Sequence, residues 1–245
     1  MRIAVNTRFL IKDKLEGIGW FTYETMKRIT RDHPEHEFIF LFDRPFSPEF
    51  IFSKNITPKV VWPPARHPIL WKWWFERSIP RALKKCKADI FISPDGYLSL
   101  KTEVPTLMVI HDLAFEHFPE QVPKNVLNFY KKNTPKYARK AQRIATVSSF
   151  SKNDISEKYL VSPGKIDVVY NGASPKYRPL NDAEKEQAKQ KYSEGKNYFI
   201  YVGSIHPRKN VGGLLRAFDG FKTKTGSDLK LLIAGRKAWQ TKTTF

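Results

Sequence analysis

What most constrains this chain is an alternation: short apolar runs rich in Val, Ile and Phe, each followed by a stretch whose apolar residues recur at helical spacing. Such strands pair in parallel only through crossovers, and helical crossovers cover both faces of the sheet. The pattern predicts an α/β fold with a parallel sheet, its ligands bound beyond the carboxyl ends of the strands. Strands are predicted at Arg2 to Asn6, Glu37 to Phe42, Lys59 to Trp62, Asp89 to Ser93, Thr106 to His111, Arg143 to Ser148 and Ile166 to Tyr170. The helices expected between them are one carrying Trp20, Phe21, Tyr23, Met26 and Ile29, one from Ile69 to Lys85, one from Lys124 to Lys140 disturbed at Pro135, and one capped by Ser149 or Ser151 and reaching Tyr159.

Pro175 and Pro179 mark a linker, after which the alternation restarts. A helix is expected near Asp182 to Tyr192, a strand at Tyr198 to Val202, a helix from Val211 carrying Leu214, Leu215, Phe218 and Phe221, and a strand at Leu229 to Ala234. The expected division is a first domain at 1–178 and the beginning of a second at 179–245, the latter well short of the roughly 150 residues such a domain usually takes.

With 245 residues and 41% hydrophobic content, the chain can bury a sizeable core. Its formal charge of +19 argues for anionic partners: nucleotides, nucleic acid or a membrane surface rich in acidic lipid. The single cysteine, Cys86, excludes an intramolecular disulfide and reads as a packing residue. No run approaches the ~18 apolar residues of a membrane span, so any membrane contact is expected to be peripheral. The tract Trp71-Lys72-Trp73-Trp74-Phe75, with Arg77, Arg81, Lys84, Lys85 and Lys87 after it, suits either a buried helix or one seated on an anionic membrane.

The candidate chemistry sits where predicted strands end. Arg208 and Lys209 stand side by side in the loop after Gly203, just before a helix start, where free N–H groups and the helix dipole favour an anion. Two fixed cations there suit a diphosphate; a solvated surface turn is the competing reading. Gly17 and Gly19, between the first strand and the first helix, would let a ligand approach the backbone. They lack the third glycine of a dinucleotide fingerprint. His111 and Asp112 follow the apolar run Leu107 to Ile110, which places the imidazole at a strand's carboxyl end, either as a functional group or satisfied by nearby backbone. Ser149 reads locally as a cap and Asn171-Gly172 as a turn. Neither an Asp-X-Asp pair nor a zinc spacing, P-loop or Gly-X-Ser-X-Gly elbow is present, so no metal and no cofactor is expected.

Taken in order, Gly-Ile-Gly at 17–19, Val-Ile-His-Asp-Leu at 109–113, Val-Ser-Ser-Phe-Ser at 147–151, Asn171-Gly172 and Gly-Ser-Ile-His-Pro-Arg-Lys-Asn at 203–210 resemble the retaining glycosyltransferases of family 4. The resemblance implies a GT-B fold: here a complete N-terminal Rossmann-like domain and the first βαβ part of a second. It implies a nucleotide-sugar donor whose diphosphate is held by Arg208 and Lys209 and bordered by Gly17 and Gly19. His111 is implied to lie against the donor sugar as the catalytic residue, with Asp112, Ser149, Asn171, Gly172 and Gly203 around the cleft. The implied acceptor is a saccharide or lipid-linked saccharide in cell-surface polysaccharide synthesis, and the implied location is cytoplasmic, at most peripheral at the inner face of the membrane. The family's downstream pair of glutamates has no counterpart among these residues, so the chain is expected to be truncated within its second domain and inactive alone. A non-catalytic basic module binding a membrane or partner chain is the alternative, with specific nucleic-acid binding not expected.

Overall fold

The computed structural model describes residues 1–65, 67–206 and 209–235. The chain divides into two compact units, Met1–Gly172 and Ala173–Phe245.

The first unit is built on a seven-stranded sheet in the order β3-β2-β1-β4-β5-β6-β7. Its strands are β1 (Arg2–Asn6), β2 (Glu37–Phe42), β3 (Ile56–Val60), β4 (Ile90–Ser93), β5 (Thr106–Val109), β6 (Arg143–Thr146) and β7 (Ile166–Val168). Every neighbouring pair is parallel. Alternate residues of one strand enter different cores. Ile3 and Val5 join Phe38, Phe40 and Phe42 on one face, while Ala4, Ile39 and Leu41 join Trp74, Phe75 and Leu83 on the other. This two-sided burial is why β1 and β2 read as continuous apolar runs.

Helix α1 (Gly17–Asp32) buries Gly19, Thr22, Met26 and Thr30. Trp20 is exposed, and Tyr23 packs edge-on against Phe50 and Phe52. The residues from Pro68 to Lys85 form α2 (Pro68–Trp73), a wide π turn (Trp74–Ser78) and α3 (Ile79–Lys85) rather than one regular helix. Pro80 has no N–H to bond Glu76, and its ring presses on that carbonyl; the wide turn before it relieves both. Trp74 and Phe75 are core, whereas Trp73 is exposed.

A short helix, α4 (Ala114–His117), leads to α5 (Lys124–Lys140), which runs unbroken through Pro135. The cap of α6 (Ser149–Tyr159) is Ser148, whose Oγ accepts from Ser151 N, and neither serine expected in that role supplies it.

In the second unit, α7 (Asp182–Ser193) starts with a reciprocal capping box between Asn181 and Glu184. Strand β8 (Tyr198–Val202) pairs in parallel with β9 (Lys230–Ala234), connected by α8 (Val211–Thr225). Phe199 meets Phe218 and Phe221 of that helix, as the spacing predicts.

Candidate active site

Three strand ends of the first unit converge in a buried polar network. Asn6 ends β1, and its Nδ2 donates to Ser93 Oγ at the end of β4 (3.2 Å) while its Oδ1 accepts from Arg8 N (3.3 Å). Ser93 Oγ donates to Asp95 Oδ1, which also accepts from Tyr97 N (3.2 Å). Arg8 Nε donates to Asp95 Oδ2 at 2.5 Å, the two side chains being 5% and 1% exposed. The guanidinium carbon lies 4.4 Å from the centre of the Tyr97 ring and 5.3 Å from that of Phe75, inside cation–π range. Burial, the largest influence, disfavours the Arg8 cation, yet Asp95 together with Tyr97 and Asp43 outweighs it and holds the guanidinium charged. Burial pushes the Tyr97 hydroxyl far above its ordinary range, so it stays neutral.

His111, half-buried two residues beyond β5, is tied to this network. Its Nε2 lies 2.9 Å from the Pro94 carbonyl oxygen, and its ring stands edge-on to Phe21 of α1, with centroids 4.9 Å apart. A carbonyl only accepts, so Nε2 carries a hydrogen, and in the neutral ring Nδ1 then keeps its lone pair. The His111 carbonyl accepts from Ser151 Oγ at 3.1 Å, which links it to the first turn of α6. Ser149, exposed on the same turn, shares a hydrogen bond of 3.1 Å with the Tyr170 hydroxyl, which leads into exposed Asn171 and Gly172. Asp112 Oδ1 accepts from Ala114 N and shapes the start of α4.

Gly17 and Gly19 are not in a loop: they form the first turn of α1. At Gly19 a Cβ would sit 2.8 Å from the Phe9 carbonyl oxygen, so the absence of a side chain lets α1 close onto the segment after β1. Gly17 has nothing within 4 Å of such an atom and stays open.

The phosphate-binding candidates are therefore divided. Gly17 and Gly19 belong to the first unit, while Gly203 and Lys209 follow β8 in the second; Arg208 lies outside the described residues. Gly203 N donates to Ala234 O at 2.9 Å, and a Cβ on Gly235 would fall 1.8 Å from Gly203 O, so the backbones just past β8 and β9 approach closely. Lys209 is exposed, and Asn210, in the left-handed conformation, caps α8 by accepting from Gly213 N at 3.2 Å.

Among the described residues, one group could share a metal ion: His33, Glu35 and His36, in the turn between α1 and β2 at the amino end of the sheet. It is remote in the fold from the strand ends described above. No helix among the described residues is long and apolar enough to cross a membrane. Sequence reasoning missed Arg8, Asp95 and Ser93 as site residues and gave Ser151 and Phe21 only structural places. The available signal was polar residues directly after apolar runs, in Asn6-Thr7-Arg8 and Ser93-Pro94-Asp95.

Comparison with known proteins places this geometry. The chain is 26% identical over 241 residues to O-antigen chain mannosyltransferase B of Escherichia coli, covering 94% of this chain and 63% of the relative. It is 28% identical over 110 residues to O-antigen chain mannosyltransferase RfbU of Salmonella typhimurium, covering 44% of this chain and 27% of that protein. Among solved structures, Anabaena HepE in complex with UDP and glucose matches with a TM-score of 0.65 at 12% identity, over 100% of this chain and 63% of HepE. The chain thus spans 63% of the length of both the E. coli relative and HepE. Residues 182–244 match the glycosyl transferases group 1 family. Residues 15–177, which include Ser93, Asp95, Tyr97 and His111, match glycosyltransferase family 4, and the chain belongs to that family.

Proposed function

We propose that this chain takes part in the retaining transfer of a hexose from a nucleotide-diphosphate sugar to a saccharide or lipid-linked acceptor during cell-surface polysaccharide synthesis. The observation that carries the reading is the placement of His111: at a strand's carboxyl end, held by Pro94 O and Phe21, with an Nδ1 lone pair able to accept from a sugar hydroxyl. Two O-antigen mannosyltransferases among its relatives support the acceptor class, and the UDP complex of HepE supports the donor class.

In this reading the departing diphosphate meets Arg208 and Lys209. Fixed cations of this kind stabilise the charge that develops as the bond to the anomeric carbon breaks. No metal is assigned to that step. His111 supports the charge developing on the sugar. Since none of these 245 residues replaces the family's glutamate pair, little turnover is expected from them by themselves.

The acceptor side is assigned to an anionic membrane face. Helices α2 and α5 meet through Trp71 and Phe129, and every exposed charged side chain on α2, α3 and α5 is a cation. Trp62, Ile69 and Trp73 stand out beside them, each at least half exposed.

Calorimetric titration of the chain with nucleoside diphosphates tests the donor assignment. Binding should fall on Lys209→Ala and further when Arg208 is also replaced; unchanged binding with both cations gone would return the loop to an ordinary surface turn. In a chain extended to the length of its relatives, losing one such contact should lower turnover by ~10²–10³. His111→Ala should there lower turnover more than donor affinity.

A further inference from the structure

A buried ion pair is weak grounds for stability, because desolvating both charges offsets their attraction and apolar residues of similar volume often serve as well. Arg8 and Asp95 nevertheless bury one at the sheet's carboxyl edge. Its surroundings suggest what it does. Asp95 joins Arg8 to the turn that follows β4: Oδ2 takes Arg8 Nε, and Oδ1 takes Ser93 Oγ and Tyr97 N of that turn. Pro94 lies inside that turn, and its carbonyl is the partner of His111 Nε2. On the other side, Arg8 is joined to Phe9, whose carbonyl oxygen is the atom that α1 approaches at Gly19. The arginine therefore ties together two supports: the turn that holds the imidazole and the segment on which the first turn of α1 rests.

We propose that the Arg8–Asp95 pair is a positioning device for the sugar-facing part of the site, pinning the Ser93–Tyr97 turn so that the Pro94 carbonyl fixes His111 as its Nε2–H tautomer with Nδ1 free to accept from a hydroxyl. Its functional meaning rests on the reading of His111 given above; its geometry does not. The planar fork of arginine suits the role: Nε engages the carboxylate while the guanidinium face rests against Tyr97 and Phe75. Lysine, a point charge on a flexible stem, would keep the charge and lose this alignment. Without the pair, the turn loses the bonds that Asp95 makes to Arg8, Ser93 and Tyr97, and the imidazole can rotate toward water in either tautomer.

The test is nitrogen NMR of the 245-residue chain carrying ¹⁵N-labelled histidine, at a pH where imidazole is neutral. His111→Gln assigns the His111 signals among the six histidines. The native chain should show His111 as a single Nε2–H tautomer. Asp95→Asn, which leaves Arg8 buried without its counter-charge, should turn that signal into a mixture. The double variant Arg8→Met with Asp95→Leu should give the same mixture while thermal stability and near-ultraviolet dichroism stay native, a combination a purely structural ion pair would not produce. Arg8→Lys serves if those chains fail to fold, and the mixture is expected there too. A native His111 in the Nδ1–H form, or a single tautomer persisting in the folded double variant or in Arg8→Lys, overturns the proposal. Failure of the His111 reading would show differently: His111→Ala would leave sugar transfer intact in the extended chain while the tautomer result stood.

Discussion

Gly17 and Gly19 stand two residues apart in one helical turn and answer to different demands. A methyl group at Gly19 meets a backbone oxygen, which cannot swing aside. Gly19→Ala should therefore lower stability by about 1–3 kcal/mol, the usual range for overpacking, less whatever helix propensity returns. Gly17→Ala meets open space and should leave the melting temperature level or slightly raised. If the amides of this turn approach a phosphate, the same change should weaken nucleoside diphosphate binding; thermal unfolding and calorimetry on the two variants separate fold from ligand. The pair was visible in the sequence as Gly-Ile-Gly, but which glycine serves packing was not, since Phe9 meets Gly19 only after the chain folds back on itself. Cys86 was legible as a packing residue. Burial pushes its thiol pKa up, so at pH 8 alkylation should be slow and should accelerate only when α3 opens.

Among the elements, long strands and helices were read closely and their ends were not. Strands β2 and β8 fall on the residues expected of them, because a continuous apolar run bounded by polar residues leaves little choice. The third strand lies earlier than its apolar residues suggest, at Ile56–Val60, because parallel register against Phe38–Phe42 decides it. The π turn at Trp74–Ser78 depends on Pro80 and on the Trp74 indole reaching Val61 O, a contact that no local pattern contains. The start of α7 offers a test of local chemistry. The Glu184 carboxyl is held below its ordinary range, chiefly by Arg178 and then by Asn181 N–H. A depressed pKa contributes stability that is present above the unfolded value and lost as pH falls through the folded one. Amide protection in α7 should thus weaken in the acid range below ordinary glutamate values, and Asn181→Ala should weaken it at neutral pH, such caps being worth ~1 kcal/mol. In β8, Phe199, Ile200 and Val202 are more than half exposed, so its amides should exchange much faster than those of β1 and β2. Equal protection in both strand sets would contradict that ordering.

At the scale of the whole molecule, charge and topology carry the predictions. If the cationic helices seat on acidic lipid, the chain should co-sediment with vesicles containing phosphatidylglycerol, release as salt rises, and ignore neutral vesicles. Trp73→Ser should weaken this binding while the chain stays folded, since half of that side chain already faces water; indifference to both salt and the tryptophan would remove the membrane from the account. The sheet order adds a consequence in time. Strand β1 sits between β2 and β4, and Asn6 reaches Ser93 across 87 positions of chain. A ribosome adding ~5–20 residues per second completes β1 and β2 several seconds before β4 exists. During that interval the inner edge of β1 is open to any passing strand. Arg8 stands at its end with the counter-charge Asp95 not yet made, and an uncompensated cation resists burial. Arg8 is thus expected to keep the unfinished edge hydrated until its own partner emerges, and ribosome-arrested chains ending before Asp95 should lose this protection against mispairing when Arg8 is replaced by Met, read as earlier aggregation than in the native sequence.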